Sequence, residues 1–162
     1  MTKRSWSEVA PETEARWQRL SSDVLDLIKI ADLDLLAAQR AAVAPEVAPK
    51  ISEPTYSLRN RFRYWEELIR NLEADWGPTG RYFIDEYINN LDSRDSIDRA
   101  LAALPPVVTD ALEQLLSDLD LRFNVVTIHD DGVELRPWVA RLRRGPDLSG
   151  RWYRRPRVIP WK

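Results

Sequence analysis

Apolar residues recur at three- and four-residue spacing along most of this chain, and prolines mark where each run must stop. The first run is Trp17, Leu20, Val24, Leu27, Ile28, Ala31, Leu35, Ala38 and Ala42, one face of a helix over roughly seven turns. Pro11 suits a first helical position, Glu12 and Glu14 complement the macrodipole behind it, and Pro45 forbids continuation. The spacing predicts one long, bent helix, although Ser21, Ser22 and Asp23 could cap a second helix and break the first. Residues 44–56, with prolines at 45, 49 and 54, form a connector.

Ser57 opens the next helix, with Leu58, Phe62, Trp65, Leu68, Leu72 and Trp76 on one face and Gly77-Pro78 as its stop. Thr79 or Gly80 starts a short helix that turns Phe83, Ile84, Tyr87, Ile88 and Leu91 inward. Asp92 or Ser93 caps another, carrying Ile97, Ala100, Leu101 and Leu104. Pro105-Pro106 ends that one and begins a helix through Val108, Leu112, Leu115, Leu119, Phe123 and Val126 to Thr127. The alternative for 123–128 is a strand turning at Asp131-Gly132 into Val133–Leu135. A lone hairpin is marginal in water, so the helix is favoured. The fold class is therefore all-α, a single-domain bundle of about five helices. At 162 residues, 44% of them apolar, the chain can bury a core without staples, and with no cysteine it has no disulfide to use.

Charge divides the domain into two parts. Residues 136–162 hold nine bases against the single acid Asp147, together with Trp138, Trp152 and Trp161. The net charge of the whole chain is −2, so residues 1–135 form an acidic helical body of net −10. After Gly132, residues such as Pro137, Gly145, Pro146, Gly150, Pro156 and Pro160 leave room only for a short helix near Trp138–Arg143. The rest reads as an extended, basic C-terminal arm packed on the body. Burying a large aromatic side chain is worth about 1.5–3 kcal/mol, enough for several anchors to offset the ordering cost. Trp138 and Trp152 are the expected anchors.

The arm is the strongest candidate for function. Arg144, Arg151, Arg154 and Arg155, interleaved with Trp152 and Trp161, suit either an intramolecular clasp or a partner-binding surface. Phosphate neutralisation with base stacking is the nucleic-acid alternative, but the acidic body would repel the same polyanion, so nucleic acid is unlikely. The second candidate is the acidic face of Asp110, Glu113, Asp118 and Asp120, which could speed encounter with a basic partner protein such as a toxin or enzyme. Its plain alternative is that the arm lies there. Leu25, Leu33 and Leu36 lie off the main stripe of the 17–42 helix and suggest a homodimer through it.

No catalytic pattern is evident. His129 precedes Asp130-Asp131-Gly132, but no nucleophile or metal-ligand spacing accompanies it, and the triplet reads as a turn. Gly-x-Gly-x-x-Gly and Walker loops are absent, so no cofactor, metal or catalytic residue is assigned. There is no secretory h-region after Met1–Trp6 and no apolar run of about 18 residues, which points to a cytoplasmic protein away from membranes.

Three stretches carry a resemblance: Glu86-Tyr87-Ile88-Asn89-Asn90-Leu91-Asp92-Ser93-Arg94-Asp95; Asp118-Leu119-Asp120-Leu121-Arg122-Phe123 with Thr127; and Arg151-Trp152-Tyr153-Arg154-Arg155-Pro156 through Pro160-Trp161. They are similar to small uncharacterised proteins of high-GC actinobacteria, over about the C-terminal half of the chain. The resemblance implies a small helical protein of the kind found near bacterial conflict loci, where toxins and their immunity proteins are encoded. It transfers no functional residue. The charge pattern makes the expected function non-catalytic protein binding of an immunity or antitoxin type, through the acidic helical surface.

Overall fold

A computed structural model describes residues 4–77, 80–141 and 148–162. Five substantial helices dominate: α2 (Pro11–Arg19), α3 (Ser22–Ala41), α4 (Leu58–Glu73), α5 (Ile84–Ala103) and α6 (Pro106–Val126). A single turn, α1 (Trp6–Val9), precedes them and a short α7 (Arg136–Arg141) follows. Strands β1 (Thr127–His129) and β2 (Arg154–Pro156) pair antiparallel, Ile128 opposite Arg155.

The centre is α4, which α2, α5 and α6 pack around. Phe62, Trp65, Leu68 and Ile69 are fully buried on it, and the Trp65 ring lies 4.8 Å from that of Phe123 on α6. This is the apolar stripe expected from Ser57 onward, and Ser57 caps it by accepting the Asn60 N–H at 3.2 Å.

The long first helix is broken. Leu20 is extended, and Ser21 Oγ accepts the Val24 N–H at 3.3 Å, so the hydroxyl cap wins over continuation of the stripe. A second cause lies far along the chain. Glu66 on α4, with no exposed surface, accepts the N–H groups of Glu12 (3.0 Å) and Thr13 (2.7 Å), the Thr13 hydroxyl (2.7 Å) and Arg70 Nε (2.9 Å). Ala10 at the helix start has no capping side chain, so a carboxylate from another helix satisfies the orphan donors of α2 and fixes its direction.

In contrast, the two short helices expected over 80–104 are one, α5. Ser93 and Ser96 are buried rather than capping an end, and Arg61 on α4 donates to the Ser96 carbonyl at 3.1 Å. Side-chain size and packing at this interface override the local capping tendency of Asp92-Ser93. The helix of 106–126 stops one residue before Thr127, and the strand that follows finds its partner in the arm instead of in Val133–Leu135.

The arm closes the fold as a clasp. Trp152 is 1% exposed, and its Nε1 donates to Asp95 Oδ2 at 2.7 Å. Trp138 is half-buried against the core. At the far end, Trp161 lies near the rings of Tyr87 (5.4 Å) and Trp76 (6.4 Å), and Trp76 Nε1 donates to the Val158 carbonyl at 2.6 Å. Asp75, Trp76 and Gly77 all have positive φ, which unwinds the end of α4 and is unfavourable for a bulky residue. Burial of the indole among these contacts holds the turn.

Candidate functional site

The arm residues are engaged with the body. Arg151 pairs with Asp95 (3.2 Å) and Asp98 (2.8 Å), and Arg154 donates to Thr127 Oγ1 (2.8 Å) and to the carbonyls of Asn124 and Thr127. Trp161 Nε1 and Lys162 Nζ both bond Glu134, at 2.9 and 2.7 Å. The Arg155 guanidinium reaches only the carbonyl of Pro156 among the described residues, at 3.0 Å. Arg144 lies outside the described residues.

The four acids of α6 separate into two kinds. Asp120 is an internal anchor: it accepts both Nε and Nη2 of Arg94 (2.8 and 2.6 Å) and the Trp65 indole N–H (3.1 Å). Arg94 is 4% exposed and also bonds Asp98 at 2.6 Å, so a bidentate pair joins α5 to α6 beneath the surface. Asp120 therefore does not belong to the exposed acidic face expected from the sequence. Asp110, Glu113 and Asp118 are exposed, and none meets a cation among the described residues; Asp118 accepts a bond from Gln114.

His129 is exposed, 3.5 Å from the more open Asp131, and Asp130 turns away to accept the N–H groups of Gly132 and Glu134. This is the turn that the triplet suggested. Among the described residues, no group of three or more His, Cys, Asp or Glu could hold a metal ion, and no helix is long and apolar enough to cross a membrane.

A cavity of about 270 Å³ opens between α4 and α5 and brings together residues that the sequence reading passed over. Tyr64 and Glu67, three apart, face it from α4. Glu86, Asn89, Asn90 and Ser93 follow a three-four spacing along one side of α5. Tyr56 enters from the α3–α4 connector and Tyr82 from the α4–α5 connector. Asn90 Nδ2 donates to the Tyr82 hydroxyl, and the Tyr82 ring lies 4.6 Å from that of Trp76. One wall of the cavity thus rests on a tryptophan that the arm holds in place.

Neither Glu67 nor Glu86 has a hydrogen-bond or ion-pair partner among the described residues. Burial, with Glu86 nearby, pushes the Glu67 carboxyl above the ordinary carboxylate range, partly offset by Arg4. Burial and the same two acids push the Tyr82 hydroxyl up as well, so it stays protonated. The sequence did hold a signal: Glu86-x-x-Asn89-Asn90-x-x-Ser93 is a polar stripe at helical spacing beside the apolar stripe of the same helix.

A larger groove of about 510 Å³ runs beside α3, lined by Trp17, Leu25, Leu33 and Leu36 with Asp32 among them. Burial raises the Asp32 carboxyl, though the Leu58 N–H bonded to it and Arg61 nearby oppose the rise.

Searches of protein-family models, curated proteins and solved structures give no match to this chain.

Proposed function

We propose that the protein is a non-catalytic binding protein that neutralises or holds a basic partner protein, in the manner of an immunity protein or antitoxin. One observation carries the reading: among the described residues Asp110, Glu113 and Asp118 stand exposed without a cation, while Arg151, Arg154, Arg157 and Lys162 of the arm bind elsewhere. A one-signed surface of this kind attracts an oppositely charged protein and raises its association rate. The engagement of Arg151, Arg154 and Trp152 with the body weighs against the nucleic-acid alternative, because those groups would have to leave internal partners to reach a phosphate or a base.

The test compares wild-type protein with a D110K/E113K/D118K variant in nuclease-treated pull-downs from the native lysate. The expected result is a basic polypeptide that the wild type retains and the variant loses, with a retention that falls as salt rises. Equal retention by both proteins overturns the assignment of this face.

Self-association through α3 is a second reading, supported by Leu25, Ile30 and Leu33 at 38%, 60% and 51% exposure, whereas Leu36, grouped with Leu25 and Leu33 in the sequence, is buried in the monomer. Sedimentation of the wild type beside an Ile30→Glu/Leu33→Glu variant decides it. A dimer lost in the variant supports the reading, and a monomeric wild type at high micromolar concentration ends it.

A further inference from the structure

We propose that the α4–α5 cavity receives a guanidinium group, either the side chain of an arginine or a free guanidino amine. This goes beyond the α6 surface and does not depend on it. Two features converge. Tyr56, Tyr64 and Tyr82 line the cavity, and tyrosine faces attract a cation through the ring quadrupole. Glu67 and Glu86 stand in the same cavity with no ion pair to either among the described residues, Arg4 acting on Glu67 only from a distance, which leaves two carboxylates for one incoming positive group. Other partly buried carboxylates of the domain take cations, Asp120 from Arg94, Glu66 from Arg70 and Glu134 from Lys162, whereas Asp32 accepts only the Leu58 N–H among the described residues.

Size and shape narrow the class. At about 270 Å³ the cavity falls just below the roughly 300–1,000 Å³ of sites for drug-sized ligands, and so suits one side-chain-sized group. A guanidinium is planar, stacks on aromatic faces, and presents five donors in a fork that carboxylates accept in pairs. The amide oxygens of Asn89 and Asn90 are further acceptors along the α5 wall. Being weakly hydrated, the guanidinium also loses less on entering a half-enclosed site than an ammonium does. The raised Glu67 carboxyl agrees with this arrangement: burial first, and then the nearby Glu86, disfavour its charge more than Arg4 favours it, a cost that a bound cation offsets.

Calorimetric titration of the full chain with Nα-acetyl-arginine amide and with agmatine tests the proposal, with Nα-acetyl-citrulline amide as the neutral isostere. Saturable one-to-one binding of an arginine probe, absent for citrulline, is expected. Glu67→Gln and Glu86→Gln should each weaken it about tenfold or more, since each removes a charge-assisted contact. The Glu67→Gln protein should melt at or above the wild-type temperature, which separates lost binding from lost folding. Glu86 is exposed, so Glu86→Gln decides alone if the other variant does not fold. Tighter binding of the amide than of agmatine identifies a polypeptide side chain as the ligand, and the reverse identifies a free amine. The D110K/E113K/D118K variant should bind as wild type does, so this site and the α6 face can fail separately. No saturable heat with either arginine probe, equal binding of citrulline, or wild-type affinity in the Gln variants overturns the proposal.

Discussion

Replacing Trp152 by alanine tests whether the arm belongs to the core. The indole is 1% exposed and is among the largest fully buried side chains in the protein, so its removal leaves a cavity that the surrounding helices cannot fill. Large aromatic-to-alanine changes of this kind cost about 3–5 kcal/mol. The Nε1–Asp95 bond at 2.7 Å is lost as well, but Asp95 keeps Ser149 Oγ at 2.7 Å and Arg151 at 3.2 Å, so its charge is not stranded. Trp152→Phe retains most of the packing and loses that bond, which places its cost at about 1.5–3 kcal/mol, the usual worth of a hydrogen bond to a charged group. In a domain of this size 1 kcal/mol shifts the melting temperature by about 2–4 °C, so the alanine variant should melt roughly 6–20 °C lower. Urea unfolding followed by circular dichroism measures both variants, with the slope checked for two-state behaviour. A loss below about 1 kcal/mol for Trp152→Ala would refute the reasoning, because no well-packed tryptophan is removed so lightly.

Other outcomes follow from the same contacts. Glu66→Ala strands the buried N–H and hydroxyl of Thr13 at the start of α2, while Arg70 keeps Glu12 at 2.8 Å, and should cost about 1–3 kcal/mol in urea unfolding, whereas a surface glutamate change is near neutral. Gly132 has φ +79°, and an added Cβ would lie 3.0 Å from Tyr153 Cδ1, so Gly132→Ala should destabilise by about 1–3 kcal/mol and loosen the β1–β2 pair, as amide exchange at Ile128 would report. Three carboxyls are held below their ordinary range: Glu14, where Arg63 and Arg59 outweigh burial; Glu73, bonded by Arg122; and Glu134, where Lys162 and Trp161 outweigh burial. A lowered acid contributes stability above its unfolded value of about 4.3 and loses it as pH falls through the lower folded value. Stability should therefore drop below pH about 4.5. Glu134→Gln should flatten part of that drop in pH-dependent melting curves.

Much of the fold was legible locally. The stripe from Leu58 to Leu72, the Ser57 cap and the Pro106 start each act within a few residues, and each stands where the spacing put it. Ser21 is legible as a cap against a long apolar stripe, and the deciding contact, Glu66 on Thr13 at the start of α2, spans 53 residues. Asp120 and Asp118 look alike in sequence, yet one faces Arg94 and Trp65 and the other faces water. The α4–α5 cavity was hidden for the same reason. Its polar stripe on α5 resembles an ordinary solvated face until Tyr64 and Glu67 are brought opposite it.

The starts of α4 and α6, the proline stops and the polarity of acidic body and basic arm were thus determined by the sequence itself, because backbone hydrogen bonds and proline geometry act over one or two turns. The tertiary structure alone decided that α5 runs unbroken, that β1 pairs with β2, with Arg154 bonded to Thr127 across a separation of 27 positions, and which carboxylates are matched. Those outcomes depend on what lies across an interface, and local propensities of a few tenths of a kcal/mol give way to burial and ion pairing worth several times more.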